Sequence, residues 1–201
     1  MTAYYYNGSP ILAPLTIESN QPIFVNDTVS LKQIRTAMNA QRWELSFDVV
    51  TNDNAVELLL CAVEDQANTK TMVMPQLKEV TDKGTTNSDL LVATTLASAT
   101  DTTVNISKTT GTGIAPKGSF IKFSNHSKIY LLLTEINLST FTSGDVEIYP
   151  SLRQDVPATT QLETFDDVSI TYRPSIDNLK GVTYSDGILA SPGRINIIEA
   201  L

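Results

Sequence analysis

Apolar and polar positions alternate most cleanly over Gln41–Val49. Trp43, Leu45, Phe47 and Val49 fall on one face, and Arg42, Glu44, Ser46 and Asp48 on the other. Successive side chains of a strand point to opposite faces, so this segment predicts a half-buried strand with Trp43 as a core anchor. A second set of short strands spans Lys117–Arg153. Phe120, Ile121 and Phe123 leave Lys122 opposite them, Ser124-Asn125-His126-Ser127 is a run of turn formers, and Ile129–Leu133 reads as a buried return strand. Ser143-Gly144-Asp145 predicts another turn before Val146–Pro150. Short apolar runs bounded by such turns build a small antiparallel barrel.

The flanking segments are also extended. Pro10, Pro14 and Pro22 argue against helix in Ile11–Leu15 and Pro22–Val25, and predict edge strands or an extended arm. Two threonine-rich strands are expected at Leu90–Leu96 and Thr102–Ser107, with Thr109–Gly113 as a turn. Toward the end come Gln161–Glu163, the alternating Val168–Arg173, a hairpin joining Val182–Tyr184 to Ile188–Leu189, and a last strand at Ile195–Ile198. The exception is Ala55–Gln66. There Val56, Leu59, Leu60 and Val63 recur at helical spacing behind the capping residues Thr51–Asn54, which predicts one short helix. The fold class is therefore mainly β. Its expected organisation is a discontinuous β domain, 1–80 with 156–201, interrupted at 81–155 by the small barrel.

Composition narrows the function. Charged residues make up 18% of the 201-residue chain, and the net charge of -8 disfavours non-specific binding to nucleic acid. The single cysteine, Cys61, excludes an intramolecular disulfide and sits in an apolar run as a buried thiol. The first residues lack a basic segment followed by an apolar core, so no signal peptide is expected, and no apolar run reaches the length of a membrane span. Synthesis in the cytoplasm is the expectation.

The order of the elements carries a resemblance. The strand Gln41–Val49, a short helix, the insertion Lys117–Tyr130 with Val146–Arg153, and a returning strand together resemble structural proteins of tailed-bacteriophage tails. The closing segment from Gly181 to Leu201 resembles the end of structural proteins of contractile-tailed phages. Lys117-Gly118-Ser119 departs from the family pattern, which has an acidic residue after the glycine. The resemblance implies a tail-tube-like β-sandwich with an added small barrel, in a tube, tube-initiator or baseplate protein of the virion. It further implies a ring formed with other copies and other tail or baseplate proteins, through which DNA passes without specific binding. The alternative from another class is a β-sandwich binding module for a carbohydrate or receptor.

Reactive constellations are not expected: no catalytic, cofactor or metal residues are assigned, and the chain reads as a non-enzyme. His126 is the only histidine, flanked by Asn125 and Ser127, and reads as a turn residue with a subunit interface as its rival role. The adjacent carboxylates Asp166 and Asp167 would point apart on a strand; Glu64 with Asp65, and Asp145 with Glu147, complete the acidic pairs. Gly111-x-Gly113 lacks the strand–turn–helix context of a phosphate loop. Three consecutive tyrosines, Tyr4, Tyr5 and Tyr6, are hard for one chain to bury, and tyrosine suits interfaces. The interface candidates are therefore Tyr4, Tyr5, Tyr6, Ile11, Leu12 and His126.

Overall fold

The computed structural model describes residues 4–6, 8–27, 33–37, 40–49, 68–76, 91–164, 167–175, 184–185, 188–189 and 193–201. The described residues form strands and loops, so the mainly β expectation holds. The helix expected at Ala55–Gln66 lies outside the described residues. Two compact units divide the chain.

Unit 1 comprises Met1–Ser19, Trp43–Pro75 and Ser169–Leu201. Its sheet contains β1 (Tyr5–Tyr6), β2 (Ser9–Asn20), β5 (Arg42–Val49), β6 (Lys70–Val73), β15 (Ser169–Pro174) and β18 (Ile195–Glu199). The spatial order is β1-β2-β5-β18-β15-β6, and the sheet rolls until its edge strands β1 and β6 approach. Trp43, Leu45, Phe47 and Val49 are all buried, as the alternation of β5 requires. Ile195 lies opposite Phe47 and Ile197 opposite Leu45, so two alternating strands present their apolar faces to one core. Burying each such side chain contributes roughly 1.5–3 kcal/mol. Inside this core the Glu199 carboxylate accepts a hydrogen bond from the Trp43 backbone N–H at 3.1 Å. A separate short pairing joins β16 (Tyr184–Ser185) to β17 (Ile188–Leu189).

Unit 2 comprises Asn20–Arg42 and Gln76–Val168. Its bounds differ from the expected insertion at 81–155: residues 156–168 belong with the barrel, and so does a distant stretch, 20–42. The barrel sheet contains β7 (Leu91–Ala93), β8 (Thr103–Lys108), β10 (Phe120–Phe123), β11 (Ile129–Leu132), β13 (Ser143–Tyr149) and β14 (Leu162–Glu163), in the order β14-β10-β11-β13-β8-β7. A bridge between Val92 and Gln161 brings its two ends together, supported by the Ala93 N–H to the Thr160 carbonyl at 2.9 Å and the Thr159 N–H to the Ala93 carbonyl at 2.8 Å. Near-closure pairs strand edges that would otherwise stand open. Val104, Ile106, Ile121, Phe123, Tyr130, Leu132, Val146 and Ile148 fill the interior.

Two smaller pairings complete unit 2. β9 (Ile114–Ala115) pairs with β12 (Ile136–Asn137), and β3 (Ile23–Asp27) forms a hairpin with β4 (Gln33–Ala37). The turn expected at Ser143–Asp145 is corrected. Those residues begin β13, paired opposite Ser107, Ile106 and Asn105. The chain turns earlier, where the Asn137 carbonyl accepts the N–H groups of Thr140 and Phe141. Gly144 stays in the strand with the Phe141 ring lying 3.5 Å from where its Cβ would be.

Candidate functional site

The barrel places His126 in the turn between β10 and β11, whose strands pair Lys122 with Ile129. The His126 N–H donates to the Phe123 carbonyl at 3.2 Å, closing that turn. The imidazole is flanked by aromatic rings: Phe123 stacks at 5.9 Å between centroids and Tyr130 meets it edge-on at 5.5 Å. Nε2 lies 2.8 Å from the Tyr130 hydroxyl and Nδ1 2.8 Å from the Asn125 Oδ1. The same hydroxyl accepts the Arg153 N–H at 3.1 Å.

Asn125 Oδ1 can only accept, so Nδ1 carries the hydrogen. With the Tyr130 hydroxyl donating to Nε2, the imidazole is neutral. Burial, with the positive charges of Lys122 and Lys128 added, lowers its pKa from 6.5 to about 4. Asn125 Nδ2 donates to the Asp155 carbonyl at 2.9 Å, and Gln154 Nε2 donates to the Asn125 carbonyl at 3.1 Å. The histidine thus ties its turn to the 153–155 segment, and its two ring nitrogens are already engaged.

Two charged side chains next to this turn are also held. Lys122 Nζ lies 2.7 Å from Glu163 Oε2, joining β10 to β14. Lys128 is buried, and its Nζ donates to Gln41 Oε1 at 2.5 Å. Gln76 clasps the start of β10 from its side chain: Oε1 accepts the Phe120 N–H at 2.9 Å and Nε2 donates to the Phe120 carbonyl at 3.3 Å. An amide side chain here supplies both bonds of a missing strand neighbour.

The remaining interface candidates lie in unit 1, apart from His126. Tyr5 is 56% exposed, whereas Tyr6 is 1% exposed. The Tyr6 ring packs 5.4 Å from Phe47 and 5.8 Å from Tyr172. Its burial in the chain's own core gives Tyr6 a structural place within the monomer, since alternation along β1 turns Tyr6 inward and Tyr5 outward. Tyr4 and Ile11 are half-buried and joined by an Ile11 N–H to Tyr4 carbonyl bond of 2.9 Å, while Leu12 is exposed. The sequence reading placed Pro22–Val25 in an edge strand or extended arm but did not name Ile23, Phe24 and Val25, exposed by 52%, 63% and 53%, as interface candidates. An unbroken apolar triplet signals a strand, and nothing in its pattern tells an exposed one from a buried one.

Unit 1 also has an open depression of about 210 Å³ lined by Glu18, Glu44, Ser46, Ser175 and Asn196 among others. Arg194 spans its neighbourhood, with Nε donating to Ser46 Oγ at 2.5 Å and Nη2 to Thr16 Oγ1 at 2.9 Å. Elsewhere, Asp145 accepts from Asn105 Nδ2 at 2.6 Å, and Gly111 and Gly113 adopt φ of 103° and 114° in a loop before β9. Glu64, Asp65, Asp166 and Cys61 lie outside the described residues. Among the described residues no group of three His, Cys, Asp or Glu side chains could hold a metal ion, and no helix is long and apolar enough to cross a membrane. No protein-family model matches the sequence, and a search of curated proteins finds no relative.

Proposed function

We propose that this chain is a structural component of a tailed-bacteriophage tail, of tube, tube-initiator or baseplate type, that assembles with copies of itself into a ring. One observation carries the reading. Of the eight large apolar side chains left exposed among the described residues, six are strand residues, Tyr5, Leu12, Ile23, Phe24, Val25 and Val73 on β1, β2, β3 and β6, while Leu96 and Leu201 lie outside strands. Both end strands of the unit 1 sheet, β1 and β6, are among them. Exposed apolar side chains on strands mark surfaces that favour contact with a partner. A closed cyclic arrangement covers such surfaces in every copy. The phage assignment itself rests on the resemblance of Gln41–Val49, Lys117–Tyr130 and Val146–Arg153. Negative-stain electron microscopy and sedimentation velocity of the purified chain test the reading. Rings, alone or with tail proteins, support it; a monomer at all concentrations that instead binds an oligosaccharide rejects it.

A further inference from the structure

The His126 turn is joined to the 153–155 segment through the same side chains that hold the imidazole. Nδ1 meets Asn125 Oδ1, and the Nδ2 of that amide donates to the Asp155 carbonyl at 2.9 Å. Nε2 meets the Tyr130 hydroxyl, which accepts the Arg153 N–H at 3.1 Å. Gln154 Nε2 adds a third tie by donating to the Asn125 carbonyl at 3.1 Å. On either side of the segment the backbone is pinned separately, by the Leu152 N–H to the Asp101 carbonyl and the Val156 N–H to the Ala97 carbonyl, each at 2.8 Å. The contact between the turn and residues 153–155 can therefore open while its flanks stay bonded.

We propose that this turn is an acid-sensitive latch: charging the His126 imidazole lifts residues 124–127 off residues 153–155 while the barrel strands stay paired. The donor pattern is one reason. An imidazolium carries hydrogens on both nitrogens, so Nε2 stops accepting from Tyr130, and that hydroxyl must turn its own hydrogen away although Tyr130 is 0% exposed. The surrounding charges are the other. Lys122 on β10 and Lys128 beside β11 already place positive charge near the ring, with Glu163 on β14 paired to Lys122. The facing segment adds Arg153 and Asp155, whose Oδ1 accepts the Ala99 N–H at 2.7 Å. Phe123 stacks on the ring and Tyr130 meets it edge-on, so a new cation there is partly shielded from water. Lifting the turn returns that cation to solvent. The lifted imidazole has its ordinary pKa of 6.5, against about 4 when seated. Opening therefore gains about tenfold per pH unit as the pH falls between those two values, and gains nothing further below the lower one.

Amide hydrogen exchange of the full chain tests the latch, read as protection factors so that the intrinsic pH dependence of exchange cancels. Protection of the Arg153 N–H is expected to fall about tenfold per pH unit below pH 6.5 in the parent and to stay level in His126→Gln. The variant keeps Asp155 and Glu163, so any response of those carboxylates remains in it. The Ile148 N–H, bonded to the Thr102 carbonyl, is expected to stay more than about tenfold better protected than Arg153 throughout. Equal protection at both amides means that the barrel opens as a whole, and a fall that persists in His126→Gln belongs to other groups; either result overturns the latch. Where His126→Gln does not fold, nitrogen NMR of the parent imidazole decides. Charging of His126 together with loss of Arg153 protection supports the latch, and charging with that protection unchanged overturns it.

Discussion

The barrel strand β10 and the hairpin strand β3 are built from similar residues and meet opposite surroundings. Ile121 and Phe123 are each 1% exposed, whereas Ile23, Phe24 and Val25 are all more than half exposed. The difference lies in neighbours. β10 is paired on both edges, by β11 and β14, and belongs to a nearly closed sheet. β3 pairs with β4 in a two-stranded sheet. A lone hairpin is marginal in water, while closure gives every strand an inside. Apolar content therefore specifies a strand, and topology decides whether that strand becomes core or contact surface.

Substitution at matched positions gives the largest expected effect. Phe123→Ala should cost about 3–5 kcal/mol in urea denaturation, through lost burial and the cavity left in the barrel. Phe24→Ala should change the same measurement by less than about 0.5 kcal/mol, because the ring is already in water. A large loss at Phe24 would mean that the hairpin is packed in the isolated chain and would erase the contrast. Next in size is Gln76→Leu, which leaves the Phe120 N–H and carbonyl without the amide that clasps them. A cost of about 1–3 kcal/mol is expected, seen also as faster hydrogen exchange at Phe120.

The His126 turn sharpens the comparison through pH. The folded pKa of about 4 lies below the ordinary 6.5. The unfolded chain therefore takes up a proton first as pH falls. Stability from keeping the imidazole neutral is complete above pH 6.5, declines from there to about 4, and changes no further below it. His126→Gln should flatten that part of the stability profile, by about 1–2 kcal/mol after allowance for partial solvent screening. Parallel profiles for parent and variant would show that the turn does not hold the imidazole neutral.

Much of this architecture is legible in the sequence, for a physical reason. Trp43–Val49 alternates because one face of β5 is buried, and Phe120–Leu132 reads as two strands because Ser124–Ser127 can only turn. Ser143–Asp145 misleads, since serine, glycine and aspartate favour turns, yet pairing with the six-residue strand Thr103–Lys108 draws them into β13. The bounds of the units are not legible, because residues 20–42 join Gln76–Val168 across a long sequence separation. At His126 the residue type is visible, but its tie to Arg153 through Tyr130 depends on the barrel bringing those segments together.

The smallest stability effect is expected at Tyr5, and its neighbour makes it informative. Tyr5 and Tyr6 are the same residue one position apart, paired with Pro10 and Ser9 across β2. Tyr6→Ala should cost about 3–5 kcal/mol, since its ring fills space between Phe47 and Tyr172. Tyr5→Ser should leave the melting transition within about 0.5 kcal/mol of the parent. Its effect belongs in assembly, where removing an exposed ring should weaken association several-fold in sedimentation velocity. A Tyr5 variant that melts early yet assembles normally would place that ring among the monomer's own contacts, and the outward side of β1 would lose its claim to a partner.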